Sequence, residues 1–260
     1  MKHVVVASAC FLALFAASAE ASAQRVRRRF DPEDLKLEEP GVVSVEMAFG
    51  AMRGEAAGRW LVPDFDINVG LAPNVELGVD GAWAIEGTPD RFFSLDHRAP
   101  DNVWLSSKLG LWETRDSAKQ TAWAIGAQLG PRVAVAPGAR GAGFQALALA
   151  GRTIRRAHVV LNVGGLLEPG AEVSRGRPTA LLFGVDAQID LDAKGTWSFA
   201  ADVSGVFFVS PQKHQLAMTA GPVWAVASWV DVGVNGLLGF LDGGDQYGVM
   251  LLFSPRAAIF

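Results

Sequence analysis

From Val42 onward the chain alternates apolar residues with polar or small ones at a period of two. Between residues 64 and 71, Phe65, Ile67, Val69 and Leu71 share one side and Asp64, Asp66, Asn68 and Gly70 the other. Val75, Leu77, Val79, Trp83 and Ile85 likewise oppose Glu76, Gly78, Asp80, Ala82 and Glu86. Leu181, Phe183, Val185, Ile189 and Leu191 oppose Gly184, Asp186, Gln188 and Asp190, and Val230, Val232 and Val234 oppose Asp231, Gly233 and Asn235. Neighbouring side chains of a strand point to opposite faces, so each segment has one greasy and one wet face.

About twelve such segments follow one another, near 42–50, 61–71, 75–86, 103–112, 120–132, 144–153, 157–166, 179–191, 196–208, 214–225, 229–239 and 246–260. Most are roughly 9–13 residues, beyond the ~5–6 of a typical globular strand and close to the ~9–11 of a tilted membrane strand. Connections after even-numbered segments are mostly tight, as at Ala72-Pro73-Asn74 and Ile154 to Arg156. Those after odd-numbered segments are mostly longer: Ala51 to Trp60, Gly87 to Asp101, Val133 to Gly143 and Leu167 to Pro178. Short periplasmic turns, long outer loops and an even strand count belong to outer-membrane barrels. The pattern predicts an all-β fold over residues 41–260, a closed antiparallel transmembrane β-barrel of about 12 strands in up-and-down order.

Composition agrees. Half of the 260 residues are hydrophobic, yet no apolar run after the N-terminus reaches the roughly 18 residues a membrane helix needs. Residues 1–23 read as a secretory signal: Lys2 and His3, an apolar stretch from Val4 to Ala17, then Ala21-Ser22-Ala23 as a small-x-small cleavage site. Cys10, the single cysteine, lies inside it, so the mature chain has no thiol for disulfides or metals. Residues 24–40 form a charged, proline-ended periplasmic arm, with a helical turn expected from Asp31-Pro32. The net charge is −4. The basic run Arg25 to Arg29 is local and terminal, which argues against nucleic acid as a partner.

Charges cannot face hydrocarbon cheaply, since an Arg or Lys at the midplane costs about 2–4 kcal/mol. The wet faces should therefore line a lumen: Asp64, Asp66, Asn68, Glu76, Asp80, Glu86, Lys108, Gln128, Arg132, His158, Asn162, Asp186, Gln188, Asp190, Asp202, Asp231 and Asn235. Nine acids against two bases in this set predict a negative potential that favours cations or neutral solutes. Alternatively the acids pair with Arg25 to Arg29 folded inward as a plug. About twelve strands leave a lumen between the filled interior of about eight and the aqueous channel of about sixteen. Inward Gly70, Gly78, Ala82, Gly126, Gly164, Gly184 and Gly233 either leave space or mark tight curvature. Six tryptophans, Trp60, Trp83, Trp112, Trp123, Trp197 and Trp229, stand near segment ends, where amphipathic rings favour the membrane interface. No G-x-S-x-G or H-E-x-x-H motif accompanies His97, His158 and His214, and adjacent Asp96 and His97 form no cage. No enzyme activity, cofactor or metal is expected.

The chain ends in Phe260, similar to the signal read by the barrel-assembly machinery. Ala258, Arg256 and Ser254 hold the alternate places where apolar residues are usual, so a bulge at Ser254-Pro255 is expected to switch the phase. The segment VPDFDINVGLAPNVELGVD resembles the second hairpin of barrel proteins named for the meta-pathway of phenol degradation. DNVWLSSKLGL, LGPRVAVAPGARG with Pro137 and Gly138, the His158-x-x-x-Asn162 strand, and Gly221, Asp231, Gly239 and Gly248 follow in the same order. The resemblance covers most of residues 40–255 and implies passage of small, apolar or aromatic molecules across the outer membrane. Partners expected on these grounds are outer-membrane lipid, the assembly machinery and a small solute. Two rivals remain: a barrel without an open pore whose outer loops bind a surface partner, and a soluble secreted β-sandwich.

Overall fold

The computed structural model describes Leu35 and residues 37–54, 58–87, 97–98, 102–135, 139–167, 170–171, 179–209 and 213–259. The expected signal, most of the 24–40 arm with its helical turn and its Arg25 to Arg29 run, and Phe260 lie outside the described residues. Twelve long strands carry the architecture: β1 Val42–Gly54, β2 Gly58–Ala72, β3 Val75–Gly87, β4 Asn102–Asp116, β5 Thr121–Ala134 and β6 Ala142–Ile154. β7 Ala157–Leu167, β8 Thr179–Asp190, β9 Trp197–Phe208, β10 Gln215–Ala227, β11 Val230–Gly239 and β12 Asp245–Ala258 complete them. Each pairs antiparallel with its sequence neighbours, and β1 closes on β12 from Val42↔Ala258 to Gly54↔Asp245. The result is a closed up-and-down barrel with no free sheet edge.

The burial pattern inverts that of a soluble protein. Buried polar side chains are as numerous as buried apolar ones, and large apolar side chains exposed on the outside outnumber both. Leu77, Leu105, Ile125, Leu161, Val234 and Leu251 all stand on that outer wall, with the sheet's polar alternates behind them. A β-sandwich would bury these faces against each other, so the soluble reading is excluded.

The strands overrun the expected segments. In the stretch 51–60, expected as a loop, residues 51–54 and 58–60 continue the β1–β2 ladder through Met52↔Arg59 and Arg53↔Gly58, and residues 55–57 lie outside the described residues. The alternation fades there among small and charged residues, but the backbone ladder does not depend on it. The β2–β3 register shifts between Leu61 and Asp64, around Pro63, which has no N–H for a ladder bond. The expected bulge at Ser254-Pro255 does not occur. β12 keeps one register against β1 from Ser44↔Arg256 through Met47↔Phe253, leaving Val45 and Glu46 unbridged opposite the proline. Ser254 and Arg256 thus keep the phase of Met250 and Leu252.

One end of the barrel has tight turns. Arg155 takes a left-handed conformation (φ 54°) in the two-residue β6–β7 turn, and Gln120 (φ 53°) ends the β4–β5 turn. Asp192 holds the β8–β9 turn, its carboxylate accepting from the backbone N–H of Lys194, Thr196 and Trp197 at 2.8, 3.0 and 2.7 Å. At the other end the β5–β6 and β7–β8 connections pair with each other through Ala139–Arg140 and Gly170–Ala171. His97–Arg98 folds back onto Ala84 and Ile85 of β3. Exposed Trp112, Trp123, Trp197, Trp224 and Trp229 gather at the turn end, whereas the side chain of Trp83 lies outside the described residues. Exposed Phe144, Phe240 and Tyr247 stand at the other end, so exposed aromatics mark both rims, with the exposed tryptophans at the turn end.

Candidate functional site

Register brings the expected polar residues onto one shielded face. Near the turn end, Glu76 opposes Lys108 and their side chains pair at 3.4 Å. Lys108 opposes Gln128, whose Nε2 donates to Ser106 Oγ at 3.1 Å. On the far wall Arg256 Nη2 meets Asp231 Oδ2 at 2.8 Å. Each pair leaves a buried carboxylate compensated, which the low dielectric of such a site demands. Asn68 lies beside Gly78, and Asn235 of β11 is buried on the same face as Asp231.

Toward the loop end, Asp66 opposes Asp80, with Asp64 two residues along. Arg132 is the cation in their field. Its Nε donates to Gln145 Oε1 at 2.8 Å, and its guanidinium lies 5.9 Å from the Trp104 ring centroid. Trp104 Nε1 donates to the Gly130 carbonyl at 3.2 Å. Across the barrel Asp186 opposes Asp202, and both are buried. Asn162 fills the space over Gly184. Gln188 opposes His158 and donates to Asp190 Oδ1 at 3.4 Å, while His158 Nδ1 shares a 2.8 Å hydrogen bond with Thr153 Oγ1. Glu86 faces Arg59 in the ladder, but its side chain lies outside the described residues. Among the described residues no group of three or more His, Cys, Asp or Glu is arranged to hold a metal ion.

The end of the N-terminal arm enters the same space. Glu38 N donates to Glu76 Oε2 at 2.6 Å, and Gly41 N donates to the Gly70 carbonyl at 2.9 Å. The methyls of Leu35 occupy the places where Gly126 and Gly151 lack a Cβ, a methyl of Leu37 lies against Gly110, and the Glu38 and Glu39 carbonyls lie against Gly70. The glycines expected to leave room do so, and the chain's own backbone and side chains fill it. Gly164 differs: the backbone of Ala146 crowds it, which is the tight-curvature reading.

Several lining residues escape the sequence reading. Arg256 and Ser254 are misassigned through the expected bulge. Leu147 and Leu149 face inward because Gln145 and Gly151 share their parity, whereas Ala146, Ala148 and Ala150 take the other side. With Trp104, Leu182 and Leu35 they form one apolar cluster. Met52, Leu61, Met250 and Leu252, with Ala48 and Leu237, form a second. The inner face is thus a mixture of fixed charges, carboxamides and two apolar patches.

The fold and this shielded face define an outer-membrane-type β-barrel. No family model matches the chain, and no curated protein matches it. Among solved structures it is similar to the NanC porin, at 6% identity over 83% of this chain and 100% of that one, with a TM-score of 0.54. The translocator domain of the autotransporter NalP from Neisseria meningitidis matches 97% of this chain and 95% of its own at 7% identity and a TM-score of 0.45. The CymD monoaromatic hydrocarbon channel matches 85% and 89% at 12% identity and a TM-score of 0.41. At such identities the likeness to NanC is one of fold.

Proposed function

We propose that the chain is an outer-membrane channel that passes small solutes through the barrel, its periplasmic mouth narrowed by Leu35 and residues 37–41. The observation that carries the reading is the inversion itself: apolar side chains outside, and a continuous inner face bearing Asn68, Lys108, Asn162, Asp186, Asp202 and Asn235. A wall built this way is stable only with hydrocarbon on one side and polar matter on the other. The short-turn end and the N-terminal arm are then periplasmic. Among the described residues the inner acids exceed the bases even after Glu76–Lys108 and Asp231–Arg256 are paired off, which supports preference for cations or neutral solutes. The apolar clusters at Met52 and Trp104, and the resemblance to barrels named for phenol degradation, support a solute with apolar or aromatic surface.

Single-channel recording of the refolded mature chain in planar bilayers tests this. The expected result is a small conductance with a cation-selective reversal potential, raised at least severalfold when residues 24–40 are removed. A barrel silent in both forms, with no solute uptake into liposomes, would point to the surface-interaction role. Anion selectivity would overturn the electrostatic part of the reading.

A further inference from the structure

The turn end carries a patch of cations whose charge is not matched locally. In the β4–β5 turn each exposed cation has its own carboxylate: Arg115 with Glu113 at 3.0 Å and Lys119 with Asp116 at 3.3 Å. The neighbouring β6–β7 turn differs. Arg152, Arg155 and Arg156 are all exposed, and among the described residues none has a carboxylate within ion-pair distance. Arg152 stands on the outer wall opposite Trp123, its guanidinium 4.7 Å from the ring centroid. Just beyond lie exposed Ile125, Val159 and Leu161. A cation stacked on an aromatic ring is held in place while its N–H donors stay free. The turn backbone is fixed on both sides, because Arg155 N donates to the Gln120 carbonyl at 2.8 Å and the Arg156 carbonyl accepts from Asp190 N at 3.0 Å.

We propose that Arg152, Arg155 and Arg156, with Trp123, form a binding site for the headgroup of an anionic phospholipid in the periplasmic leaflet. The site rests on the membrane reading above. Charge and geometry fit that occupant. Guanidinium donors match phosphate oxygens in pairs, the indole sits at interfacial depth, and the aliphatic wall beside it would run along an acyl chain. Among the described residues no cation lies over the stacked pair Trp197–Trp224, at 5.4 Å on another side of the barrel, so the patch marks one sector of the rim.

Native mass spectrometry of the refolded mature chain, offered an equimolar mixture of phosphatidylglycerol and phosphatidylcholine, tests the site. The expected result is selective retention of phosphatidylglycerol. With each basic residue worth about a fivefold change in affinity, R152Q/R155N/R156Q should weaken it by roughly a hundredfold, while R115Q/K119Q leaves it intact. Asparagine at 155 tolerates the left-handed turn. Should the triple variant lose the heat-shifted gel mobility of a folded barrel, the single variant R152Q is expected to lose roughly fivefold. Equal retention of both lipids by wild type overturns the site. So does unchanged selectivity in the folded variants, or full displacement of the lipid by inorganic phosphate alone at millimolar concentration. Wild-type chain that stays out of vesicles altogether would sink the membrane reading and the site together; insertion without lipid preference sinks the site alone.

Discussion

Among single residues, the strongest constraints are buried charges held in ion pairs. Asp231 is fully shielded and Arg256 reaches it from the neighbouring strand at 2.8 Å. Truncating the cation takes away the counter-charge 2.8 Å from a buried carboxylate, so Arg256→Met should cost about 3–5 kcal/mol, and the paired change D231N/R256M should recover most of it. Urea titration of the barrel folded into vesicles measures both, and equal losses in the single and double variants would refute the pairing argument. Asp192 presents a different constraint, because its carboxylate satisfies three backbone donors of one turn. Asp192→Ala should destabilise by about 1–3 kcal/mol in the same titration. The inward position of Asp231 is legible from alternation with Val230 and Val232. The partnership with Arg256 is not, because Pro255 invites a bulge where the ladder merely skips two bridges.

At the scale of elements, strand identity follows from alternation wherever large apolar and polar residues share the pattern. β9 is expected at 196–208 and found at Trp197–Phe208. Legibility fails where both faces are apolar, as in Phe144 to Ala150: alternating leucine and alanine fix the period but not which side faces in. It fails again in the arm, where Leu35 and Leu37 sit among charges and only the glycines of other strands show where they fit. Those niches give a sharp test. Gly151→Val places a side chain where a Leu35 methyl lies, with the nearest backbone atom at 3.6 Å, so the arm should be displaced while the ladder persists. Channel conductance should then rise toward that of the arm-deleted chain, and a conductance equal to wild type would show that the arm does not limit flow.

For the whole molecule, the decisive quantity is the medium against the outer wall. A closed barrel has no edge to donate, and its stability depends on which solvent meets Leu161 and Val163, both exposed at mid-strand. Water would make this surface a large aggregation patch; hydrocarbon makes it the stable side of the sheet. The two cases separate in one comparison of two outward-facing positions on β7. Leu161→Arg puts a charge on the wall, where hydrocarbon should cost it about 2–4 kcal/mol. Val159→Arg, closer to the turn end on the same wall, should cost about 0–1 kcal/mol, because the penalty falls toward the interface. If the wall met water instead, both arginines would be nearly silent. Folding free energies measured in vesicles therefore read depth directly, and a flat profile between positions 159 and 161 would remove the membrane from the account.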